Sequence, residues 1–316
     1  MANDTMFLER LHDIFFAPFN GFGHLSLMNP RAYHILLHRT SQHYIEGEPW
    51  RRIMYNPASL AFYGPPPEWL ADLDDHEAAP PVEDNVITEI LEEGKIALVR
   101  IRTFTPENIP GDMEYLLAFF TEISDFEHLI LDIRGNGGGT GDYFNYVIMA
   151  LLIDEPVSYV NYFFAMDGEH IKRFFYDDDI ESEMNPIQGE YGNIFDALPM
   201  INQDDAEILS FYYQVERVVY PSNYSIAFEG KIWLLIDGRT FSASDAFARA
   251  SKQIGFATLV GVPTSGGGMG TDPIVAALPN TGIIASFQGF YGTDHQGRHA
   301  YEFTTHNHTT PTAAHA

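Results

Sequence analysis

The sequence predicts an α/β protein with a largely parallel sheet. Three observations carry this expectation. Short apolar, β-branched runs alternate with longer runs of helical period. One short run, "HLILDI", is almost wholly apolar, as a strand buried on both faces is. And 45% of the 316 residues are apolar, enough to bury a sizeable core.

The elements follow in order. "MFLERLHDIFFAPFN" places Leu8, Leu11, Ile14 and Phe15 on one helical face, and Pro18 ends it. With the mixed segment that reaches Tyr63, this makes an N-terminal helical segment, 1–63. "YGPPPEWLADLDDHEAAPPVEDN" is rich in Pro and acids and reads as a linker over 64–85. The core is then 86–316. "KIALVRIRTF" alternates as a strand, with Ala97, Val99 and Ile101 on one face. "DMEYLLAFFTEIS" is a helix whose stripe is Leu116, Leu117, Phe120 and Ile123. After "HLILDI" come a helix over 142–152 and the strand "PVSYVNYFFAM". Residues 177–202 are polar and loop-like, and 204–219 is expected to be helical. "KIWLLI" and "ATLVGV" are strands on either side of a helix over 243–254. "IVAALPNTGIIASF" is two short strands around a Pro-Asn-Thr-Gly turn.

Composition narrows the function classes. Acids number 44 against 17 Lys plus Arg, a net charge of −27. That charge repels phosphate backbones, so nucleic acid and anionic membranes are excluded as expected partners. The absence of cysteine excludes disulfides, a thiol nucleophile and thiolate metal sites. The apolar runs are too short to span a bilayer. The first fifteen residues lack a basic region followed by an apolar one, so no signal peptide is visible; a secreted or extracytoplasmic location would imply a leader already removed.

The most informative stretch is "LILDIRGNGGGTGDYFNYVIMALLID". Strand, glycine-rich turn and helix could cradle a phosphate or present backbone amides to an oxyanion. The dinucleotide fingerprint fails in two places. Thr140 stands where its third glycine belongs, and Asp154, the ribose-binding candidate, closes a helix instead of a strand. A plain tight turn would need one or two glycines; three in a row suggest amides left bare for a ligand. A second such neighbourhood is "KIWLLIDGRTFSASDAFARASKQIGFATLVGVPTSGGG". Here Ser242 stands at a helix start with Asp245 three residues on, a capping-box pattern. A nucleophile gains from the same place, because a helix N-terminus favours a developing anion and the Ala243 amide would face it.

Together, "LDIRGNGGG" and "DGRTFSASDAFARA…GFATLVGVPTSGGG" resemble the carboxyl-terminal processing, or tail-specific, serine proteases, with the tricorn core protease as a relative. The resemblance covers roughly Lys95 to Glu302. It implies a crotonase-like, ClpP-like spiral of β-β-α units with an N-terminal helical segment. It implies Ser242 as nucleophile, with Gly138, its neighbour Gly137, and Ala243 forming the oxyanion hole. The branch with a Ser–Lys dyad carries its lysine in a "PTxGKG" segment. This chain has "PTSGGG", with Gly267 at that place, and Lys252 lies inside the helix that Ser242 starts. The tricorn-like branch uses a histidine and a late acid instead. "FNGFGHLSLMNP" resembles its histidine segment and gives His24, while "DHQGRHAYEFTTHNHTTP" gives Glu302. Phe22 stands where that branch has an Asp, and Gly23 where the tricorn enzyme has a Ser.

The chemistry needs these residue types. A serine hydroxyl is a poor nucleophile until a base removes its proton. Imidazole does so near neutral pH, and a carboxylate behind it fixes the tautomer. The implied activity is a serine-type peptidase acting on peptides or unfolded protein tails through an acyl-enzyme, without a cofactor. Because the family resemblance extends to a retinoid carrier of the visual system, an inactive ligand- or peptide-binding protein on the same fold is the second reading. His295, His299, His306 and His308 fit no zinc spacing, so no metal is expected.

Overall fold

The computed structural model describes residues 24–42, 52–68, 82–168, 184–190, 192–269 and 274–299, with isolated positions at 6, 10, 11 and 171. The helix expected around Leu8–Phe15, most of the linker, and Glu302, His306 and His308 lie outside the described residues.

The N-terminal part contributes a two-residue strand β1 (Ser26–Leu27) and helices α1 (Pro30–Gln42) and α2 (Pro57–Tyr63). A hairpin follows, β2 (Val86–Glu92) and β3 (Ile96–Ile101), then α3 (Ile109–Glu122) and β4 (His128–Asp132). After the glycine turn a π-helix, Tyr143–Met149, runs into the short α4 (Ala150–Leu152). Five strands come next: β5 (Val157–Ala165), the two-residue β6 (Asn185–Pro186), β7 (Gln188–Gly189) and β8 (Gly192–Asn193), and, after the single turn α5 (Gln203–Ala206), β9 (Phe211–Val219). The chain continues through β10 (Lys231–Ile236), α6 (Ala243–Ile254), β11 (Thr258–Gly261), β12 (Ile274–Ala277), β13 (Ile284–Phe287) and β14 (Tyr291–Asp294).

The main sheet has the order β11-β10-β4-β3-β2, parallel except for the β2–β3 hairpin. Its strands bury Val99, Leu129, Leu131, Leu234 and Leu259 against α3, the π-helix and α6. The opposite face is only half-buried at Leu98, Ile130, Trp233 and Leu235, so these strands are fully buried on one face rather than on both. The fold is α/β with β-β-α units, the class expected from the sequence. A second sheet, β14-β5-β9-β6, is antiparallel, and a third, β1-β13-β12, joins the N-terminal strand to the late hairpin. No helix among the described residues is long and apolar enough to cross a membrane.

One element differs in kind from its expectation. The helix expected over 204–219 is only the turn α5; residues 211–219 form β9, paired with all nine residues of β5. Gln and Glu in "FYYQVERVV" favour a helix, but the stretch has period two: Tyr213 and Val219 are buried while Gln214, Glu216 and Val218 are exposed. Tyr and Val suit a half-buried pleated surface, and pairing with β5 overrides the weak helical propensity.

Two features position what lies at the carboxyl ends of the parallel strands. The turns after β4 and β10 stand side by side there, the place where open α/β sheets bind ligands. From the other side, β1 is fixed to β13 in the register Ser26↔Ser286. The buried Tyr63 hydroxyl reinforces that pairing, donating to Met28 O at 2.9 Å and accepting from Ile284 N at 3.0 Å. Burial pushes this phenol up to about 12, so it remains a donor throughout the ordinary pH range.

Candidate active site

Asn136, fully buried, ties the two turns together. Its Oδ1 accepts from Gly138 N at 2.9 Å and from Ser244 Oγ at 2.6 Å, and its Nδ2 donates to Ile101 O at 3.2 Å. Its backbone carbonyl accepts from Phe241 N at 3.1 Å. On either side the turns are braced by Asp132, bonded twice to the Arg134 guanidinium at 2.8 Å, and by Asp237, which accepts from Gly135 N at 2.9 Å. Burial pushes the Asp132 carboxyl up, but the Arg134 hydrogen bonds outweigh it and hold the group below the ordinary carboxylate range.

Ser242 precedes the first residue of α6 with φ of +55° and ψ of −127°, a backbone region that non-glycine residues rarely enter. Its N–H donates to Gly266 O at 2.9 Å. The capping box expected from the sequence does not form: Ser242 makes no side-chain cap bond. The twisted backbone aims Oγ away from the helix, and it meets His24 Nε2 at 3.3 Å, across 218 residues of sequence. Asp245 is likewise diverted. Fully buried, it pairs with Arg249 at 2.8 Å and accepts from Thr264 Oγ1 at 2.5 Å and Gly268 N at 3.1 Å. It therefore clamps the 264–268 loop against the helix start.

Two glycines are required by close approach. At Gly138 (φ +99°) a Cβ would stand 2.8 Å from Ser242 Cβ and 2.9 Å from Ala243 N. At Gly267 (φ +79°) a Cβ would stand 2.5 Å from the Phe241 ring. That ring in turn packs against His24, with centroids 5.1 Å apart. So the place the resemblance would give to a lysine is filled by an aromatic side chain that supports the imidazole. Lys252 is ten residues beyond Ser242, about 15 Å along the helix axis.

The sequence singled out three amides. That of Gly138 is engaged by Asn136 Oδ1. Gly137 is exposed and uncrowded. Ala243 lines a cleft of about 470 Å³ that also holds Ser242, His24 and Gly139. Neither Ala243 N–H nor Gly139 N–H donates a hydrogen bond among the described residues. The arrangement can therefore move a proton from a hydroxyl to an imidazole beside two unoccupied backbone donors. The sequence assigned the glycine turn 137–139 to an oxyanion, with Gly138 as its foremost donor, and gave Asn136 and Phe241 no role, although both fall inside the quoted motifs.

His299, among the metal candidates, stacks on Tyr291 with centroids 4.2 Å apart. Burial first, then the Arg249 charge, pushes its imidazole down to about 4. Among the described residues no group of three or more His, Asp or Glu is placed to hold a metal ion.

Among solved structures, this chain is similar to a candidate peptidase from Parabacteroides merdae, at 17% identity over 69% of this chain and 55% of that one, TM-score 0.47. It is also similar to mature CPAF complexed with lactacystin, at 18% identity over 67% and 46% of the two chains, TM-score 0.45. The photosystem II D1 C-terminal processing protease matches at 15% identity over 70% and 47%, TM-score 0.41. The chain thus spans about half the length of these solved chains. No curated protein matches it. The sequence model of Peptidase family S41 matches residues 95–306, well over half of the chain, and the chain belongs to that family.

Proposed function

We propose that this chain is a serine endopeptidase that hydrolyses peptide bonds in peptides or protein tails, with Ser242 as nucleophile and His24 as its base. The observation that carries the reading is the 3.3 Å approach of His24 Nε2 to Ser242 Oγ. That distance is longer than an ordinary hydroxyl bond, as catalytic hydrogen bonds often are before substrate arrives. His24 takes the Oγ proton as Oγ attacks the substrate carbonyl carbon. The oxygen that becomes charged is held by the Ala243 N–H and by the glycine turn. With Gly138 N–H engaged by Asn136, Gly138 supplies the close approach and Gly139 the second donor. The imidazolium returns its proton to the leaving amine, and a water activated by the same imidazole releases the acyl group. The sequence resemblance supports Glu302 for the role of the carboxylate that fixes the imidazole tautomer. The Phe241 ring over Gly267 supports histidine rather than lysine as the base.

The test is hydrolysis of an unfolded protein substrate, with products identified by mass spectrometry. Wild type is expected to cut internal peptide bonds, and Ser242→Ala and His24→Ala to lose at least about 10³-fold in kcat. Ser242→Ala should melt with the wild type, because its hydroxyl caps nothing. Full activity in either variant would refute the assignment.

A further inference from the structure

We infer that the cleft beside Ser242 selects peptides bearing a carboxylate within about four residues of the scissile bond, and that Arg217 is the residue that holds it. The inference rests on the reading of this cleft as the peptide site. One wall is built from two facing strands. Residues Tyr159, Asn161 and Phe163 of β5 stand opposite Arg217, Val215 and Tyr213 of β9, and all six line the cleft. The pairing makes the wall graded. At one end the Phe163 and Tyr213 rings stack, centroids 4.9 Å apart. At the other, Tyr159, whose hydroxyl donates to Asn145 Oδ1 at 3.2 Å, stands across from Arg217. Four residues of strand separate the ends, roughly 13 Å. An extended peptide covers that span in about four residues.

Arg217 and Asp142 are the only Lys, Arg, Asp or Glu residues among the described cleft residues. In a chain with 44 acids and 17 Lys plus Arg, Arg217 makes no ion pair among the described residues. Arg217 is exposed, as Gln214 and Glu216 are, but it lines the cleft and they do not. Its planar fork matches a carboxylate with two parallel donors. Asp142, at the start of the π-helix, also lines the cleft, and its charge and that of Arg217 both reach the Tyr159 hydroxyl. The net charge of −27 opposes acidic peptides at long range, but salt screens that repulsion beyond about 8 Å. Contact with Arg217 then governs affinity rather than encounter rate.

The carboxylate can come from an acidic side chain or from a free C-terminus, and the probes separate these. Ser242→Ala protein, which holds substrate without turning it over, is titrated by fluorescence anisotropy with three rhodamine-labelled peptides. One carries a phenylalanine and a glutamate and is amidated; the second has glutamine for glutamate; the third is the glutamine peptide with a free C-terminal carboxylate. At least one acid is expected to bind about tenfold more tightly than the neutral peptide, and which one does so identifies the source. That advantage should vanish with Arg217→Gln and reverse in favour of the neutral peptide with Arg217→Glu. Equal Kd values for all three peptides, no binding, or an advantage that survives Arg217→Gln would overturn the inference. Cleavage by protein with Ser242 intact is scored separately. Carboxylate-dependent binding without any cleavage sinks the peptidase reading alone, and cleavage indifferent to the carboxylate sinks this inference alone.

Discussion

The two sides of the candidate site are held very differently. On the Ser242 side, two turns at the ends of adjacent parallel strands are stapled by Asn136, Asp132, Asp237 and Asp245 through hydrogen bonds of 2.6–3.1 Å. On the His24 side, the imidazole stands two residues before a two-residue strand, and the β13 pairing, the Tyr63 hydroxyl and the Phe241 ring are among its supports. The dense side fixes geometry that tolerates no error, the strained Ser242 backbone and its neighbouring amides. The second side brings in an imidazole from 218 residues away and is expected to loosen without unfolding the main-sheet core. Damage to the first side should therefore lower stability and activity together, and damage to the second should fall chiefly on activity.

Asn136→Ala should show the largest combined effect. It strands the buried Gly138 N–H, the Ser244 hydroxyl and the Ile101 carbonyl, so urea unfolding should lose about 2–4 kcal/mol. If the turns it joins form the oxyanion site, kcat should fall by about 10² as well. Tyr63→Phe is the matching test of the tether. Removing two hydrogen bonds should cost about 1–2 kcal/mol, with kcat down about tenfold and KM little changed. A Tyr63→Phe enzyme that is destabilised yet fully active would break the comparison.

A smaller effect sharpens it. Gly267→Ala should be damaging in the wild type, because a Cβ there meets the Phe241 ring, and less so in Phe241→Ala. A double-mutant cycle on kcat should return a coupling of about 0.5–2 kcal/mol, while the left-handed backbone keeps a residual penalty of about 1 kcal/mol. Simple additivity would mean that the ring does not transmit the clash to His24.

The smallest expected effect concerns His299, near the clamped helix but outside the cleft. Its folded value of about 4 lies below the 6.5 of free imidazole, so the unfolded chain takes up the proton first. Its contribution is fully present above pH 6.5 and is lost as pH falls from 6.5 towards 4. His299→Phe, which keeps an aromatic ring against Tyr291, should flatten the fall in stability across that window relative to wild type. Parallel curves for the two proteins would exclude the titration.

Much of the Ser242 side was legible because it is local. The helix over 243–254, the strands on either side of it and the glycine turn all announce themselves by period and turn chemistry within a few residues. What escaped depends on partners distant in the chain. β9 becomes a strand by pairing with β5, more than forty residues earlier, and only that pairing puts Arg217 in the cleft wall. The capping box misled because the local pattern is genuine, while the positive φ at Ser242 turns its side chain towards His24, which no local pattern reveals. Asn136 lay in a quoted motif, but its double acceptance from Gly138 and Ser244 exists only once the two turns meet.

The central claim is that Ser242 is activated by His24. The most direct measurement is the rate of labelling by a fluorophosphonate probe, with the adduct mapped by mass spectrometry. The account predicts one adduct, on Ser242, formed at least about 10²-fold more slowly in His24→Ala and at the wild-type rate in Lys252→Ala. An adduct on another residue, or labelling that survives loss of His24 and disappears with loss of Lys252, would contradict it.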